Sequence, residues 1–261
     1  MQGGDINDVF LLKTTIGNKV VKINFTSRFP KMFEKEADGL KRLAETKSFK
    51  IPKIIGFGEI STYSYLLLEY ISPGEKQKDF WVNFAKNLAI LHQNSSPTFG
   101  LDTDNYIGSL PQYNKSEIKN PVDFYIEKRL QPQFELAKQQ GFTFKELSIF
   151  YKNLEEIIPF EKPALIHGDL WGGNYLTAKN NTPVLIDPAV AFAPREMDIA
   201  MMKLFGGFPE EVFAIYHEIF PMQKDWEDRI KIWQLYYVLV HLNLFGRSYL
   251  NAVKNILKRF S

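Results

Sequence analysis

The sequence predicts an α+β chain in two lobes, a small antiparallel-sheet lobe with one helix and then a larger, mainly helical lobe. Three observations carry this. Short β-rich runs crowd the first 71 residues, apolar residues at helical spacing dominate most of the remaining chain, and Ser72-Pro73-Gly74 breaks the chain between the two. The expected division is therefore 1–72 and 73–261. With 261 residues, 45% of them apolar and 24% charged, the chain sits in the ordinary globular range, which excludes disordered and fibrous classes.

Val9-Phe10-Leu11-Leu12 and Lys19-Val20-Val21-Lys22-Ile23 flank Gly17-Asn18 and read as a hairpin. Phe33, Ala37, Leu40 and Ala44 recur at helical spacing after Pro30, with Glu34 and Glu36 in the opening turns, and Pro52 ends that stretch. Residues 53–58 and 65–71 are strand-like, and the second is so continuously apolar that it belongs inside the sheet. Beyond the break, Phe80, Phe84, Leu88 and Leu91 mark one helical face, and 124–138 and 145–158 are further helices. Three short strands are expected at 164–166, 174–177 and 184–186, with a turn at Lys179-Asn180-Asn181. From about Met197 the pattern is helical and aromatic-rich.

Composition narrows the function. Thirty-two basic against thirty acidic residues leave a net charge of +2, too little overall field to hold nucleic acid or an anionic membrane. Lys13, Lys19, Lys31, Lys35, Lys41, Lys47, Lys50 and Lys53 make the first lobe basic, and we read them as a solvated face. The chain contains no Cys, so metal chemistry must rest on oxygen ligands. Leu235 to Val240 is the longest apolar run near the C-terminus, far short of the ~20 residues that span a bilayer. The N-terminus lacks the regions of a secretory signal, and a cytoplasmic location is the expectation.

The informative stretch is His167-Gly168-Asp169-Leu170-Trp171-Gly172-Gly173-Asn174, with Ile186-Asp187-Pro188 after a short strand. Phosphoryl transfer from a nucleotide needs an acceptor for the incoming hydroxyl proton and hard oxygen ligands for a Mg²⁺ that bridges the phosphates. Asp169 suits the first role; Asn174, five residues on, and Asp187 suit the second. Lys22, in the strand after the turn, can reach the α- and β-phosphates, with Glu36 on the next helix as its ion-pair partner. Gly3 and Gly4 can admit a phosphate close to the backbone. Glu69, Tyr70, Ile71 and Ser72, at the lobe junction, can present main-chain groups to an adenine edge.

With those residues in view, the chain resembles the fructosamine-3-kinase, or ketosamine kinase, family, relatives of aminoglycoside and choline kinases within the protein-kinase-like fold. The likeness runs nearly end to end, through Asn105-Tyr106-Ile107-Gly108 with Pro111-Gln112, the Trp-bearing catalytic loop, Asp187-Pro188-Ala189 and Arg195-Glu196-x-Asp198. It implies ATP-dependent phosphorylation of a ketosamine at its 3-hydroxyl, after which the adduct breaks down and frees the amine, a deglycation repair of small or protein-bound adducts. Two departures stand out. Family members usually have a helix and a strand before the glycine turn, so a first sheet strand is expected to be missing here, and the turn carries Asp5 where some members have Cys.

Other residues take lesser parts. Trp171 reads as an aromatic platform for a sugar face. His167 reads as a loop-shaping residue, Asp198 as a brace of the catalytic loop, and His92, His217 and His241 as structural. Tyr236, Tyr237 and Phe245 read first as core, with the lining of an acceptor pocket as the second reading for some of them. Eight residues between Asp187 and Glu196 leave no room for a long docking segment of the protein-kinase kind.

Overall fold

The structure, a computed structural model, describes residues 7–145 and 147–261. Gly3 and Gly4 lie outside the described residues. The hairpin signal at Gly17-Asn18 joins strand β1 (Asp8–Leu12) to β2 (Lys19–Phe25), which pair antiparallel with Leu12 opposite Lys19. Helix α1 (Met32–Glu45) comes next, then β3 (Ile54–Ile60) and β4 (Tyr63–Glu69), in the sheet order β1-β2-β4-β3. The most apolar run, β4, is an interior strand bonded to both β2 and β3. Its inward residues Leu66 and Leu68 pack on Phe33, Ala37 and Leu40 of α1, the stripe the helical spacing marks.

Past the junction, α2 (Phe80–Gln93) buries Phe80, Phe84, Leu88 and Leu91. Next comes a hairpin of β5 (Asn105–Ile107) and β6 (Leu110–Gln112) in a region read as helical. Its strands are too short for a period-2 signal, and Pro111 argues against a strand anywhere but in an unshared ladder. The helix expected at 124–138 is α3 (Pro121–Tyr125), a π-helical turn over Ile126–Leu130 and α4 (Gln131–Gln139) in unbroken succession. Asn120 caps it, its side chain accepting from the N–H groups of Val122 and Asp123. Pro132 cannot donate to a helical ladder, and the wider π turn before it accommodates its ring.

Helix α5 (Leu147–Ile157) leads to β7 (Ala164–Ile166), β8 (Tyr175–Ala178), β9 (Thr182–Leu185) and β10 (Ala191–Ala193). Strands β8 and β9 form one hairpin, and β7 pairs antiparallel with β10. Helices α6 (Glu196–Phe205), α7 (Glu210–Ile219), α8 (Trp226–Phe245) and α9 (Leu250–Phe260) complete the chain. Helix α8 is the core of this body, buried from Ile230 to Val240 along almost its whole circumference. Despite that apolarity, no helix among the described residues is long and apolar enough to cross a membrane.

Candidate active site

Two short ladders hold the chemistry-bearing loop. It leaves β7 at Ile166, runs through His167 to Asn174 and enters β8; the β8–β9 hairpin then returns the chain to Asp187. Because β7, β8 and β9 are fully paired, the loop between them has fixed ends. Gly168 makes its first bend at φ 82°, where a Cβ would lie 2.0 Å from the carbonyl oxygen of Ala189. Both the left-handed backbone and the close approach demand glycine.

Asp198, at the start of α6 and wholly buried, receives the N–H groups of His167 at 2.7 Å and Gly168 at 2.8 Å. His92 of α2 bonds the same carboxylate at 3.2 Å and Tyr216 Oη at 2.8 Å, so three helices brace the loop. His167 bridges the loop's two halves: its Nδ1 accepts from the Asp169 N–H at 3.3 Å, so Nε2 carries the proton and donates to Ile186 O at 2.9 Å. Burial pushes its pKa below the ordinary value, in keeping with a neutral ring that shapes the loop.

Asp169 and Asn174 meet as their spacing predicts. The Asn174 amide donates to Asp169 Oδ2 at 3.0 Å and to the Asp169 main-chain oxygen at 2.8 Å, while its own Oδ1 has no hydrogen-bond partner among the described residues. Burial pushes the Asp169 carboxyl up to about 7; the Asn174 hydrogen bond opposes this, and the nearby Asp187 and Asp198 carboxylates reinforce it.

Across the cleft, Lys22 of β2 donates to Glu36 Oε1 of α1 at 2.6 Å and also to Asp187 Oδ1. The expected partner is present, and the ammonium is shared with a second carboxylate that spacing alone did not pair with it. Burial opposes the ammonium charge, but the two carboxylates outweigh it and hold Lys22 above its ordinary range. Asp187 sits at φ 56°, an uncommon backbone for a non-glycine residue.

These side chains face one cavity of about 550 Å³ whose wall includes Lys22, Glu36, Asp169, Trp171, Asn174 and Asp187. Trp171 is 41% exposed at its edge and lies so close over Gly173 that a Cβ there would sit 2.3 Å from the indole. The far wall belongs to α6 and α8: Met201, Phe205, Tyr237, Val240, His241, Leu244 and Phe245. Tyr237 and Phe245 take the second of their two sequence readings and line the cavity, His241, read as structural, joins them, and Tyr236 turns away to donate to Gln112 Oε1 at 2.8 Å. The stretch from Leu235 to Val240 is apolar on every side and gives no period from which to tell its cavity face from its core face.

The β5–β6 hairpin has a role the sequence did not disclose. Asn105 Nδ2 donates to Val190 O at 2.9 Å and Gln112 Nε2 to Ala189 O at 3.0 Å, so two buried amides clamp the segment just after Asp187. The junction residues fall elsewhere. Ile71 is buried against Ala178 and Val184, Glu69 Oε2 accepts from the Lys53 N–H at 3.2 Å, and none of Glu69, Tyr70, Ile71 or Ser72 joins the cavity wall.

A nucleotide-bound divalent ion fits this donor set. Among the described residues no three His, Cys, Asp or Glu side chains gather into a self-sufficient cage. Asn174 Oδ1, unpartnered among the described residues, and the Asp187 carboxylate could supply two hard oxygens to a cation that completes its shell with phosphates and water.

The family model described as fructosamine kinase matches residues 1–261. A probable ketoamine kinase of Enterococcus faecium is 41% identical over 99% of this chain and 93% of its own length. A chloroplastic protein-ribulosamine 3-kinase of Arabidopsis thaliana is 36% identical over 98% of this chain and 79% of its own. The crystal structure of a fructosamine-3-kinase from Haemophilus somnus, so described provisionally, superposes with a TM-score of 0.90 at 29% identity, covering 100% of this chain and 89% of that one. A choline/ethanolamine kinase family protein of Mesorhizobium loti shares the fold alone, with a TM-score of 0.55 at 12% identity over 98% and 84% of the two chains. The fold is therefore that of the protein-kinase-like phosphotransferases, and with a full-length match around a Trp-bearing kinase loop the chain belongs to the fructosamine kinase family.

Proposed function

We propose that the chain transfers the γ-phosphoryl group of ATP to the 3-hydroxyl of a ketosamine, a sugar adduct of an amine. Membership of the fructosamine kinase family makes it an ATP-dependent ketosamine kinase; the residue roles, the 3-position and the divalent ion are our reading. The observation that carries them is the convergence of Asp169, Asn174, Asp187, Lys22 and Glu36 on one cavity.

In this reading residues 1–72 bind the nucleotide and 73–261 carry the loop and the acceptor. Lys22, fixed by Glu36, neutralises the ATP phosphates, and Gly3, Gly4 and the main chain of Glu69, Tyr70, Ile71 and Ser72 complete the nucleotide site. Asn174 and Asp187 would hold Mg²⁺, which when bound would offset the charge on the phosphates. Asp169, its carboxylate oriented by Asn174, accepts the proton of the acceptor hydroxyl as the oxygen attacks. Trp171 offers its indole face to the sugar. Glu36, Asp169 and Asp187 are the only carboxylates among the described wall residues; two serve the phosphates and their cation and only Asp169 meets the acceptor, so the acceptor end is not built for a polycation. The reaction belongs in the cytoplasm as a deglycation repair.

The test is ADP release with MgATP across fructosamine, ribulosamine and erythrulosamine acceptors. Ketosamine-dependent release that disappears in Asp169→Asn supports the reading; release that requires an aminoglycoside or choline instead contradicts it.

A further inference from the structure

Two cations on the cavity wall have no counterpart. Arg28 precedes α1, Lys35 stands near its start, one residue before Glu36, and both line the cavity together with Phe29, Met32, Tyr106 and Ser109. Lys22, the remaining Lys or Arg of the wall, is matched by Glu36 and Asp187. Arg42, farther along α1, is matched by Asp38 at 2.9 Å and Asp102 at 2.7 Å. Arg28 and Lys35 form no ion pair and donate no side-chain hydrogen bond among the described residues. An unpaired lysine on an open surface is ordinary, and the sequence places Lys35 on a solvated face. In the structure it is only partly exposed and belongs to a concave wall.

The turn that carries Arg28 is fixed from two sides. The N–H groups of Arg28 and Phe29 donate to Phe25 O at 3.0 and 3.3 Å, and the Met32 N–H donates to Phe29 O at 3.2 Å. Tyr106 Oη, from the β5–β6 hairpin, donates to Pro30 O at 2.9 Å. Phe29 is buried, and the centre of its ring lies 5.1 Å from the Arg28 guanidinium carbon. A guanidinium on so fixed a turn loses less freedom on meeting an anion than one on a free arm.

The cavity is the phosphate and acceptor half of the cleft, because the junction residues Glu69 to Ser72, where adenine is expected, lie off its wall. Its three carboxylates are engaged, Glu36 and Asp187 by Lys22 and Asp169 by the Asn174 amide. The Arg28 and Lys35 side therefore carries uncompensated positive charge, which repels an ammonium and attracts an anion.

We infer that Arg28 and Lys35 form an anion subsite for the acceptor, so that the preferred ketosamines carry a carboxylate or phosphate besides their amine. This rests on the assignment of the cavity to ketosamine phosphorylation. An adduct on the α-amine of an amino acid has a carboxylate beside the linking nitrogen, and an adduct of a sugar phosphate has its anion at the far end of the sugar. An unphosphorylated sugar on a lysine side chain within a protein has neither. The subsite thus favours free, anionic adducts.

Steady-state kinetics with three acceptors test this: fructosyl-glycine, which has a carboxylate, fructosyl-ethylamine, which has no anion, and fructosyl-ethylamine 6-phosphate. The kcat/KM of each anionic acceptor is divided by that of the neutral one, in the parent and in the double variant Arg28→Gln, Lys35→Gln, so any loss common to all acceptors cancels. At least one ratio should be about tenfold or more in the parent at low salt, fall as salt is added, and drop to within about twofold in the double variant. The acceptor that shows it identifies the source of the anion. Parent ratios near one for both anionic acceptors, or a ratio that survives the double substitution, would overturn the inference. So would a severalfold rise in the KM for ATP with the ratio unchanged, since the two cations would then serve the nucleotide. A parent that releases no ADP with any of the three acceptors overturns the functional assignment and this inference together, whereas a parent that uses all three equally overturns this inference alone.

Discussion

Asp169 has an environment that serves reaction and weakens the fold. Its pKa in the folded chain is about 7, raised chiefly by burial, against an ordinary value of 3.8. Between those values the folded state holds a proton that the unfolded state has released, so stability falls as pH rises from about 4 to about 7 and stays reduced above. Asp169→Asn keeps the acceptor for the Asn174 amide and removes the buried charge. It should abolish turnover yet raise stability at pH 8 by about 2 kcal/mol, after discounting for the solvent that still reaches the partly buried carboxylate. The gain should vanish near pH 4, and urea titrations at the two pH values measure it; a variant less stable at pH 8 contradicts the account. Gly168 makes a second test at this scale. Alanine there would meet the Ala189 oxygen at 2.0 Å on a left-handed backbone, and Gly168→Ala should cost at least about 1–2 kcal/mol together with activity. Activity and urea midpoint equal to those of the parent would refute the loop geometry.

Among the elements, the β5–β6 hairpin is the part whose purpose had to be seen. Gln112 joins Ala189 O, Asn105 Oδ1 and the Tyr236 hydroxyl in one buried network. Gln112→Ala strands these partners, so a loss of about 1–3 kcal/mol is expected, with a fall in kcat as the segment after Asp187 loosens. Parallel urea and steady-state measurements check both; an unchanged kcat would free Asp187 from the hairpin. The contrast with the catalytic loop shows what a sequence discloses. Asp169 and Asn174 were legible because the chemistry itself fixes their spacing, and α1 and β4 because a stripe or run of apolar residues has one place to go. The hairpin has three-residue strands and a proline, below the reach of any period. Tyr237 and His241 sit in or beside the Leu235–Val240 run, apolar on every side of its helix, where nothing in the residue order separates the face toward a cavity from the face toward the core.

At the scale of the whole molecule, function depends on bringing residues far apart in the chain across one cleft. Lys22 belongs to the sheet, Glu36 to α1 and Asp187 to the end of the β8–β9 hairpin, and the two ion pairs tie these elements together. Lys22→Met leaves Glu36 and Asp187 with no cation between them. It should destabilise the chain by about 3 kcal/mol and abolish the rise in melting temperature that MgATP gives the parent. A normal MgATP shift in that variant would remove Lys22 from the nucleotide site. A chain of net charge +2 has little overall field, so attraction for nucleotide phosphates must come from local cations such as Lys22.

The role given to Asp169, activation of the 3-hydroxyl of a ketosamine toward ATP, is tested most directly by product analysis. Phosphorus and carbon NMR would follow the product of fructosamine and MgATP, with the Asp169→Asn chain run in parallel. Stoichiometric ADP and a phosphate on O3 are expected with the parent chain and none with the variant. Phosphate on another oxygen, or undiminished product from the variant, would contradict that role.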